Sequence, residues 1–363
     1  MDDRHQRLAE KFRRRQQKTV RRRLSREIYS QKKIPRHFVH FDWAIIATIL
    51  IFLLGVWLDR APKNFSPEWG LSFSKAQAES LGLSWQKTYE AILQELPAVT
   101  KIRLSVLWPE LEPKADFYDW KTIDEQIALA QKYNKKITLA IGYRLPRWPE
   151  CHFPEWAATL DQKTREQKIL QMLEKIITRY QGVPEIERWQ IENEPFLSFF
   201  GECPPLDEDF LKTEIALVKK LDDREIMLTD SGELGKWHRA ARLADIFGTT
   251  VYRKVTILDG RTFLKYFFLP PGFYRLKARL LTGSIAKTII SELQAEPWSE
   301  NKLLKDLTLA EAKRALSPDL LQENLDYARR TGFKEVYLWG AEWWYFMKQN
   351  GHPEWWNVIK NLK

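Results

Sequence analysis

Trp189-Gln190-Ile191-Glu192-Asn193-Glu194-Pro195 is the stretch that decides the fold. Apolar residues at 186, 189 and 191 form a short run bounded by prolines, which predicts a buried strand of about 5–6 residues. The run ends in an amide and a carboxylate, which a buried strand has no packing reason to carry. Polar side chains at the carboxyl end of a parallel strand are where barrel folds place their sites. A second glutamate lies in a similar setting in Ile289-Ile290-Ser291-Glu292-Leu293-Gln294.

The remainder of the chain alternates short apolar runs with longer amphipathic stretches. The runs that predict strands are Trp69–Phe73, Lys101–Val106, Lys136–Ile141, Ile186–Glu192, Glu225–Thr229, Ile246–Tyr252, Ala286–Glu292 and Lys334–Trp339. The patterns that predict helices are clearest at Trp85–Glu95, Ile123–Tyr133, Lys163–Tyr180, Asp207–Leu221 and Pro318–Thr331. Eight such alternations predict an α/β fold, a (β/α)8 TIM barrel over residues 69–363. An open doubly wound sheet would alternate similarly, but it usually carries a glycine-rich phosphate turn, which is missing from this sequence.

The positive charge of the chain is confined to its amino terminus. The 363 residues carry a formal net charge of +10, and residues 1–36 hold fourteen Lys or Arg against four acids. The remaining 44 basic and 44 acidic residues balance. We therefore expect no nucleic-acid partner for the folded part, although the basic runs in the tail leave nucleic-acid binding as an alternative for that segment.

A run of sixteen uncharged residues, Trp43–Leu58, follows the basic tail. It is slightly shorter than the usual ~20-residue membrane span, and flanking aromatic residues can extend it into the interfaces. We predict a basic cytoplasmic tail at 1–37, a transmembrane signal anchor at 38–59, a linker at 60–68 and an extracytoplasmic barrel. A cleaved signal peptide is the alternative, but the charged region before the apolar run is long for one. A buried core helix is the other alternative.

The only cysteines, Cys151 and Cys203, both follow predicted strands. Because an extracytoplasmic domain is in an oxidising compartment, we expect a disulfide between two neighbouring loops. Two unrelated free thiols are the alternative.

The residues at the predicted strand ends are carboxylates, aromatics and hydrogen-bonding side chains. They are Arg103, Trp108, Tyr143, Arg144, Asn193, Glu194, Asp230, Glu233, Tyr252, Glu292, Gln294, Trp339 and Glu342. These residues include no histidine pair at metal spacing, no serine nucleophile elbow and no phosphate cradle, so neither a metal nor a cofactor is expected. Two carboxylates with aromatic platforms are the equipment for cleaving a glycosidic bond.

From Trp69 onward the chain resembles the clan A glycoside hydrolases, which are barrel glycosidases with catalytic glutamates on strands four and seven. Residues 102–108, with Leu111-Glu112-Pro113 and Tyr118-Asp119-Trp120, are similar to the second strand and loop of β-galactosidase-like and xylosidase-like families. Asn193-Glu194-Pro195 is similar to the acid/base motif and Ser291-Glu292 to the nucleophile strand. Leu338-Trp339-Gly340 resembles the segment whose tryptophan forms the floor of the sugar-binding site.

The resemblance implies a role for each matching residue. Glu194 would be the general acid/base and Glu292 the nucleophile. Asn193 would contact the sugar 2-hydroxyl, and Arg103 and Tyr252 would hold Glu292. The remaining substrate-binding candidates are Trp108, Tyr143, Gln294 and Trp339. Because the clan is retaining, the two carboxyl groups are expected about 5–5.5 Å apart. Gly142-Tyr143-Arg144 departs from the clan, where many families have His or Trp.

The resulting hypothesis is a membrane-anchored, monomeric, retaining glycosidase or transglycosylase that acts on an extracytoplasmic β-linked oligo- or polysaccharide. A catalytically inactive barrel that binds envelope polysaccharide is the alternative. We expect three further acids to form salt bridges or rim contacts and most tryptophans to pack in the core. The acids are Glu192, Glu296 and Glu342. The tryptophans are Trp148, Trp156, Trp298, Trp343 and Trp344.

Overall fold

A closed barrel of eight parallel strands dominates the structure, a computed structural model that describes residues 43–204, 206–257, 262–299 and 302–362. The strands are β1 (Glu68–Ser72), β2 (Val99–Ser105), β3 (Lys136–Ile141), β4 (Ile186–Ile191), β5 (Glu225–Asp230), β6 (Ile246–Val251), β7 (Lys254–Ile257), β8 (Thr262–Lys265), β9 (Thr288–Gln294) and β10 (Glu335–Trp339). The barrel follows the order β1-β2-β3-β4-β5-β6-β9-β10 and closes back on β1. This confirms the (β/α)8 prediction, while β7 and β8 form a separate antiparallel hairpin.

Helices occupy the segments between the strands. They are α1 (Trp43–Leu58), α2 (Lys75–Ser80), α3 (Trp85–Glu95), α4 (Trp108–Leu111), α5 (Lys121–Lys132), α6 (Glu155–Ala158), α7 (Gln162–Tyr180), α8 (Glu208–Leu221), α9 (His238–Leu243), α10 (Pro271–Leu281), α11 (Leu309–Ala315), α12 (Pro318–Thr331), α13 (Ala341–Gln349) and α14 (Glu354–Lys360).

Helix α7 illustrates how the sequence pattern creates the outer layer. Asp161 caps its start by accepting a hydrogen bond from the Thr164 backbone N–H. Its buried residues recur at the three- and four-residue spacing of one helix face: Ile169, Met172, Leu173, Ile176, Ile177 and Tyr180. Each fully buried aliphatic side chain of this kind stabilises the fold by about 1.5–3 kcal/mol.

Strand β9 is displaced from its predicted position. It runs from Thr288 to Gln294, two residues later than the pattern indicated, because residues 285–287 form a 3₁₀ turn that Ser284 caps. Glu292 therefore lies within the strand rather than as its last residue. All seven residues of β9 are buried, so the charged side chain of Glu292 lies in an enclosed position.

The chain divides into two units, Met1–Gly55 and Val56–Lys363, and the barrel belongs to the second. In the first unit, the described residues are helical, and the large apolar side chains from Ile45 to Leu54 are exposed. Among the described residues, no helix combines the length and apolarity of a bilayer span, and α1 has 16 residues. The predicted tail 1–37 and the first residues of the predicted span 38–59 lie outside the described residues.

The segment that was expected to be a free linker is attached to the barrel. The Ala61 N–H donates to the Arg330 carbonyl at 2.9 Å, and Asp59 accepts from Arg275 Nε at 2.9 Å. Gly272 opens helix α10 where the Val56 carbonyl packs against it, and an added Cβ there would lie 1.8 Å from that oxygen. The chain entering the second unit is thus held in place before the first strand begins.

Candidate active site

Arg103 of β2 joins three strands that are distant along the chain. Its Nη1 donates to Glu292 Oε1 at 2.8 Å and its Nη2 to Asn193 Oδ1 at 2.8 Å, while Nε donates to Gln190 Oε1 at 2.7 Å. Only 1% of its side chain is exposed. Because charge-assisted hydrogen bonds are the strong ones, this guanidinium fixes the relative positions of β2, β4 and β9 at one point.

Glu292 has both carboxylate oxygens engaged. Its Oε1 accepts from Arg103, and its Oε2 accepts from the Tyr252 hydroxyl at 3.0 Å. Tyr252 immediately follows β6, which is the hydrogen-bonded neighbour of β9. Glu292 is therefore oriented by two donors and paired with a cation, which is the setting a carboxylate needs to act while charged.

Glu194 has the opposite environment three residues after β4. Its Oε1 is buried and has no hydrogen-bond partner among the described residues. Its backbone adopts a φ of 43°, and its N–H donates to Thr229 Oγ1 at 2.8 Å, which stabilises this unusual geometry. Burial raises the pKa of Glu194 well above its ordinary value, and the negative charges of Glu292, Glu150 and Asp230 raise it further.

The two glutamates therefore differ in the way that acid–base chemistry on a glycoside requires. Burial and nearby negative charges raise the pKa of the Glu194 carboxyl, whereas the Glu292 carboxyl is paired with a guanidinium. Pairs of carboxyl groups whose environments separate their proton affinities divide into a proton donor and a charged partner.

Asn193 lies between these two environments with a fixed orientation. Its Oδ1 accepts from Arg103 Nη2, from Thr229 Oγ1 at 3.1 Å and from Gln190 Nε2 at 3.3 Å. Its Nδ2 donates to Glu150 Oε2 at 3.0 Å. The carbonyl oxygen is thus saturated, and one N–H of the amide is left for a ligand.

A narrow cleft with a cavity volume of about 70 Å³ opens beside Arg103. Its lining includes Ser72, Arg103, Trp148 and Trp339, so Arg103 connects it directly to Glu292. The lining does not include Glu194 or Glu292 themselves. The cleft is smaller than the roughly 300–1,000 Å³ of small-molecule sites, so a bound sugar requires side chains at its rim to move.

Arg147, another lining residue, covers the indole of Trp339. Its guanidinium carbon is 4.0 Å from the ring centroid, and its donors bond Glu296 and Glu342. Trp339 is 8% exposed. A sugar that stacks on this face of Trp339 has to displace Arg147, so the cation–π contact competes with the ligand.

Three of the candidate binding residues face away from this centre. Trp108 is fully buried, and its Nε1 donates to Glu112 Oε2 at 2.8 Å. Tyr143 stacks on Phe153, with ring centroids 5.0 Å apart. Gln294 bonds the backbone around Lys254 through both ends of its amide. Each of these side chains is engaged in internal contacts.

Of the three additional acids, Glu296 and Glu342 form the expected salt bridges, whereas Glu192 is fully buried and bonds backbone. Glu192 accepts from the backbone N–H groups of Tyr143 and Arg144, which ties β4 to the loop after β3. Glu296 and Glu342 share Arg147. The strand-end residues Arg144, Asp230 and Glu233 form hydrogen bonds with loop backbone, and the charges of Arg144 and Asp230 also act on Glu194. Within the described ranges, no cluster of three or more His, Cys, Asp or Glu side chains could hold a metal ion.

The tryptophans divide between core and site. Trp343 and Trp344 are fully buried, and Trp156 packs against Trp108. Trp148, by contrast, is 62% exposed at the cleft, and the ring of Trp298 is 5.3 Å from that of Tyr252.

The loop after β3 carries two residues that sequence reasoning missed, Arg147 and Glu150. The structure joins Cys151 and Cys203 in a disulfide with an S–S distance of 2.04 Å, which brings this loop beside the loop after β4. The position of Cys151 next to Glu150 was the only sequence signal that this loop reaches the site.

No known family model matches the chain, and no curated protein matches it in sequence. Solved structures share its fold. A β-galactosidase from Bacillus circulans sp. alkalophilus is 13% identical with a TM-score of 0.50, covering 76% of this chain and 50% of its own. The GH5_18 structure from Bifidobacterium longum subsp. longum ATCC 55813 is 12% identical with a TM-score of 0.54, covering 75% and 69%. GH5_18 from Streptomyces cattleya in complex with GlcNAc is 11% identical with a TM-score of 0.50, covering 76% and 70%.

These likenesses establish a glycosidase-like barrel fold. The chain spans about half the length of the β-galactosidases that it matches, from 50% to 53%. Activity and substrate therefore have to be argued from the site.

Proposed function

We propose that this chain is a membrane-anchored retaining glycoside hydrolase or transglycosylase that acts on an extracytoplasmic β-linked glycan. The observation that carries the proposal is the contrast between Glu194 and Glu292 at one end of the barrel. Glu194 is buried with an unpartnered oxygen and a raised pKa, whereas Glu292 is held by Arg103 and Tyr252. A retaining mechanism needs these two kinds of carboxyl within reach of one sugar ring.

In the first step, a carboxylate oxygen of Glu292 attacks the anomeric carbon. The bond from that carbon to the glycosidic oxygen breaks, and the leaving oxygen takes the proton of Glu194. The product is a glycosyl ester on Glu292, and Glu194 is now ionised. Arg103 and Tyr252 keep the nucleophile oriented while its charge is consumed.

In the second step, water or an acceptor hydroxyl gives its proton to Glu194 and attacks the anomeric carbon. The ester bond breaks, which restores the Glu292 carboxylate. Esterification has removed the negative charge of Glu292, which is one cause of the raised pKa of Glu194. The same residue therefore becomes a competent base when the cycle needs one.

The surrounding residues determine how the sugar is held. The free N–H of Asn193 is available to the hydroxyl beside the anomeric carbon, and Trp339 offers an aromatic face once Arg147 moves. We do not assign Trp108, Tyr143 or Gln294 to the substrate, because each is committed to internal packing or backbone hydrogen bonds.

Rescue by azide is the test of the two assigned roles. The β-galactosidase that shares the fold makes aryl β-galactosides the first of a panel of aryl β-glycosides to try. In Glu292→Ala, azide should attack directly and give the α-glycosyl azide. In Glu194→Ala, azide should intercept the glycosyl ester and give the β-glycosyl azide. The same anomer from both variants, or full activity without azide, would refute the assignment.

A glycan-binding barrel without catalysis is the second candidate. The observation that favours it is the guanidinium of Arg147 over Trp339, on the face that a sugar would use. Calorimetry with envelope polysaccharide fragments distinguishes the two. A binding barrel retains full affinity in the double variant Glu194→Gln/Glu292→Gln and shows no turnover before mutation.

Membrane attachment is the part of the proposal that concerns location. It is supported by sixteen uncharged residues in α1, by the exposed apolar side chains of that helix and by the basic excess of residues 1–36. Protease added to intact cells should digest the barrel and spare an epitope placed at the amino terminus. Protection of the barrel until lysis would place it in the cytoplasm. Size-exclusion chromatography with light scattering in detergent tests the expected monomer.

A further inference from the structure

The loop between β3 and α6 presents Glu150 to the site on a rigid framework. The backbone of Glu150 has a φ of 71°, its N–H donates to the Arg147 carbonyl at 2.8 Å, and its carbonyl accepts from the Leu145 N–H at 2.7 Å. The Cys151–Cys203 disulfide and Gly201 secure it from the other side. An added Cβ at Gly201 would lie 2.7 Å from Glu150 Cβ, so only glycine permits this approach.

The carboxyl group of Glu150 is buried but only partly used. Its side chain belongs to a residue that is 4% exposed, and its Oε2 accepts from Asn193 Nδ2 at 3.0 Å. Its Oε1 has no hydrogen bond to any described residue. This oxygen is not one of the fully buried oxygens that lack a partner, so the bond from Asn193 to Oε2 is the contact that defines the role of the carboxyl.

Electrostatics place this third carboxyl close to both proposed catalytic glutamates. Burial raises the pKa of Glu150 to about 8, with a further contribution from the charge of Glu292. Asn193, Arg144 and Arg103 lower it. The charge of Glu150 in turn raises the pKa of Glu194. Glu150 is therefore mainly neutral at pH 7, and its ionisation above that value is felt at the proton donor.

The orientation of Asn193 depends on Glu150. Three donors hold Oδ1 of the amide, and Glu150 alone among the described residues holds Nδ2. Loss of Glu150 would remove this fourth contact and leave the amide fixed at one end only. The direction of the free N–H would then be less well defined.

We propose that Glu150 is a positioning residue of the reaction: it aims the Asn193 amide at the C2 hydroxyl of the sugar between Glu194 and Glu292. The site accordingly selects glycosides with a free hydroxyl at C2. This inference rests on the proposed function and deepens it, because it assigns the residue that orients Asn193.

The test uses the full-length chain in detergent with an aryl β-glycoside and its 2-deoxy analogue. Glu150→Leu should lower kcat/KM by about 10- to 100-fold on the hydroxylated substrate, because it removes a hydrogen bond that organises the site. It should lower kcat/KM on the 2-deoxy substrate far less. Equal losses on both substrates would show a merely structural role and overturn the proposal.

Glu150→Gln provides an independent reading if the leucine variant does not fold. Glutamine is a neutral mimic of the protonated acid and still accepts from Asn193, so activity near pH 7 should stay close to wild type. It cannot ionise, so the pKa of Glu194 should fall and the alkaline limb of the kcat/KM profile should move to lower pH. Glu292, Asp230 and Arg144, which also face Glu194, are unchanged. An unmoved alkaline limb would contradict the proposal.

Glu202→Gln is the matched control, because Glu202 is exposed in the loop that the disulfide joins to Glu150 and should alter neither reading. Wild-type turnover that disappears in Glu292→Gln establishes the proposed function separately. If the wild type has no turnover, the proposed function fails. The inference is then tested by calorimetric measurement of the affinities for a glycan and for its 2-deoxy analogue. Glu150→Leu should weaken the binding of the hydroxylated glycan only. Equal weakening, or none, would overturn it.

Discussion

The two ends of the barrel both bury charged side chains, but these side chains are paired more completely at the amino end than at the carboxyl end. At the amino ends of the strands, Lys101 contacts Glu187 at 2.6 Å and Glu68 at 3.1 Å, and Arg188 binds Glu335 through two hydrogen bonds of 2.8 and 2.9 Å. At the carboxyl ends, Glu194 has an unpartnered oxygen, and Glu150 uses only one.

The pKa shifts at the two ends have opposite signs. At the base, burial would raise the pKa of Glu335, but Arg188 and Lys101 outweigh it and the pKa is lowered. At the mouth, burial dominates and the pKa values of Glu194, Glu150 and Glu342 are raised. Burial alone thus does not identify a functional carboxyl. Among the mouth carboxyls with a raised pKa, Glu194 also has an unpartnered oxygen, and this combination makes it the candidate proton donor.

Glu292→Gln should have the largest effect on kcat. A small effect would contradict the distinction between the two ends of the barrel. Loss of the nucleophile removes the covalent route, and kcat should fall by at least about 10⁴-fold. The fold should persist, because Arg103 keeps its bonds to Gln190 and Asn193. Kinetics on an aryl glycoside, with circular dichroism as the folding control, measures both. An active variant would remove Glu292 from the mechanism.

Glu335→Gln is the corresponding change at the base and should have the reverse outcome. It leaves Arg188 buried without its carboxylate, which should lower the free energy of unfolding by about 3–5 kcal/mol. The kcat should stay near wild type, because the base is remote from the chemistry. Urea unfolding and the same kinetic assay provide the two values. A loss of activity as large as that of Glu292→Gln in a folded protein would erase the distinction between the ends.

Glu214→Gln tests how a buried carboxyl with a raised pKa changes the pH dependence of the free energy of unfolding. Glu214 of α8 is fully buried, and burial followed by the charge of Glu192 raises its pKa well above its ordinary value. Its stabilising contribution is complete below the unfolded pKa of about 4.5 and is lost as pH rises through the folded pKa. Between pH 5 and 8, the variant should therefore lose less stability than wild type, by about 1–3 kcal/mol.

The base should show the opposite trend, because the lowered pKa of Glu335 makes its contribution complete above the unfolded pKa and lost as pH falls through the folded value. Urea unfolding of wild type, Glu214→Gln and Glu335→Gln across pH measures both trends. Identical pH dependence in wild type and Glu214→Gln would mean that Glu214 is not held neutral by the fold.

Tyr252→Phe should have the smallest effect. It removes one neutral donor from Glu292 and leaves Arg103 in place, so kcat/KM should fall by about 10-fold. Because Glu292 then relies on one donor, the loss should appear in kcat rather than KM. A decrease comparable to that of Glu292→Gln would mean that the tyrosine takes part in the chemistry itself.

The sequence predicted the barrel because its signals are local and repeated. Apolar runs of strand length alternate with amphipathic helices such as α7, and the order in which they occur is enough to indicate a closed parallel sheet. The pattern missed the hairpin of β7 and β8, where tertiary contacts rather than periodicity determine the structure. It also placed β9 two residues early, because the Ser284-capped turn takes residues that look like strand.

The convergence of Arg103, Asn193 and Glu292 was predictable once the strand order was known, because strand ends meet at one rim. Side-chain direction was not. Trp108 follows β2 and Tyr143 follows β3, yet both side chains are packed internally. Glu150 could not be found from periodicity, because its place depends on a left-handed backbone and a cross-loop disulfide that no local pattern encodes.

Trapping of the covalent intermediate tests the central claim most directly. The full-length chain is incubated with activated 2-deoxy-2-fluoro β-glycosides of the sugars it turns over, and its peptides are mapped by mass spectrometry. The account predicts one glycosyl adduct on the peptide that contains Glu292, absent in Glu292→Gln and still formed in Glu194→Gln. An adduct on Glu194 or elsewhere, or product of inverted configuration with no adduct, would contradict it.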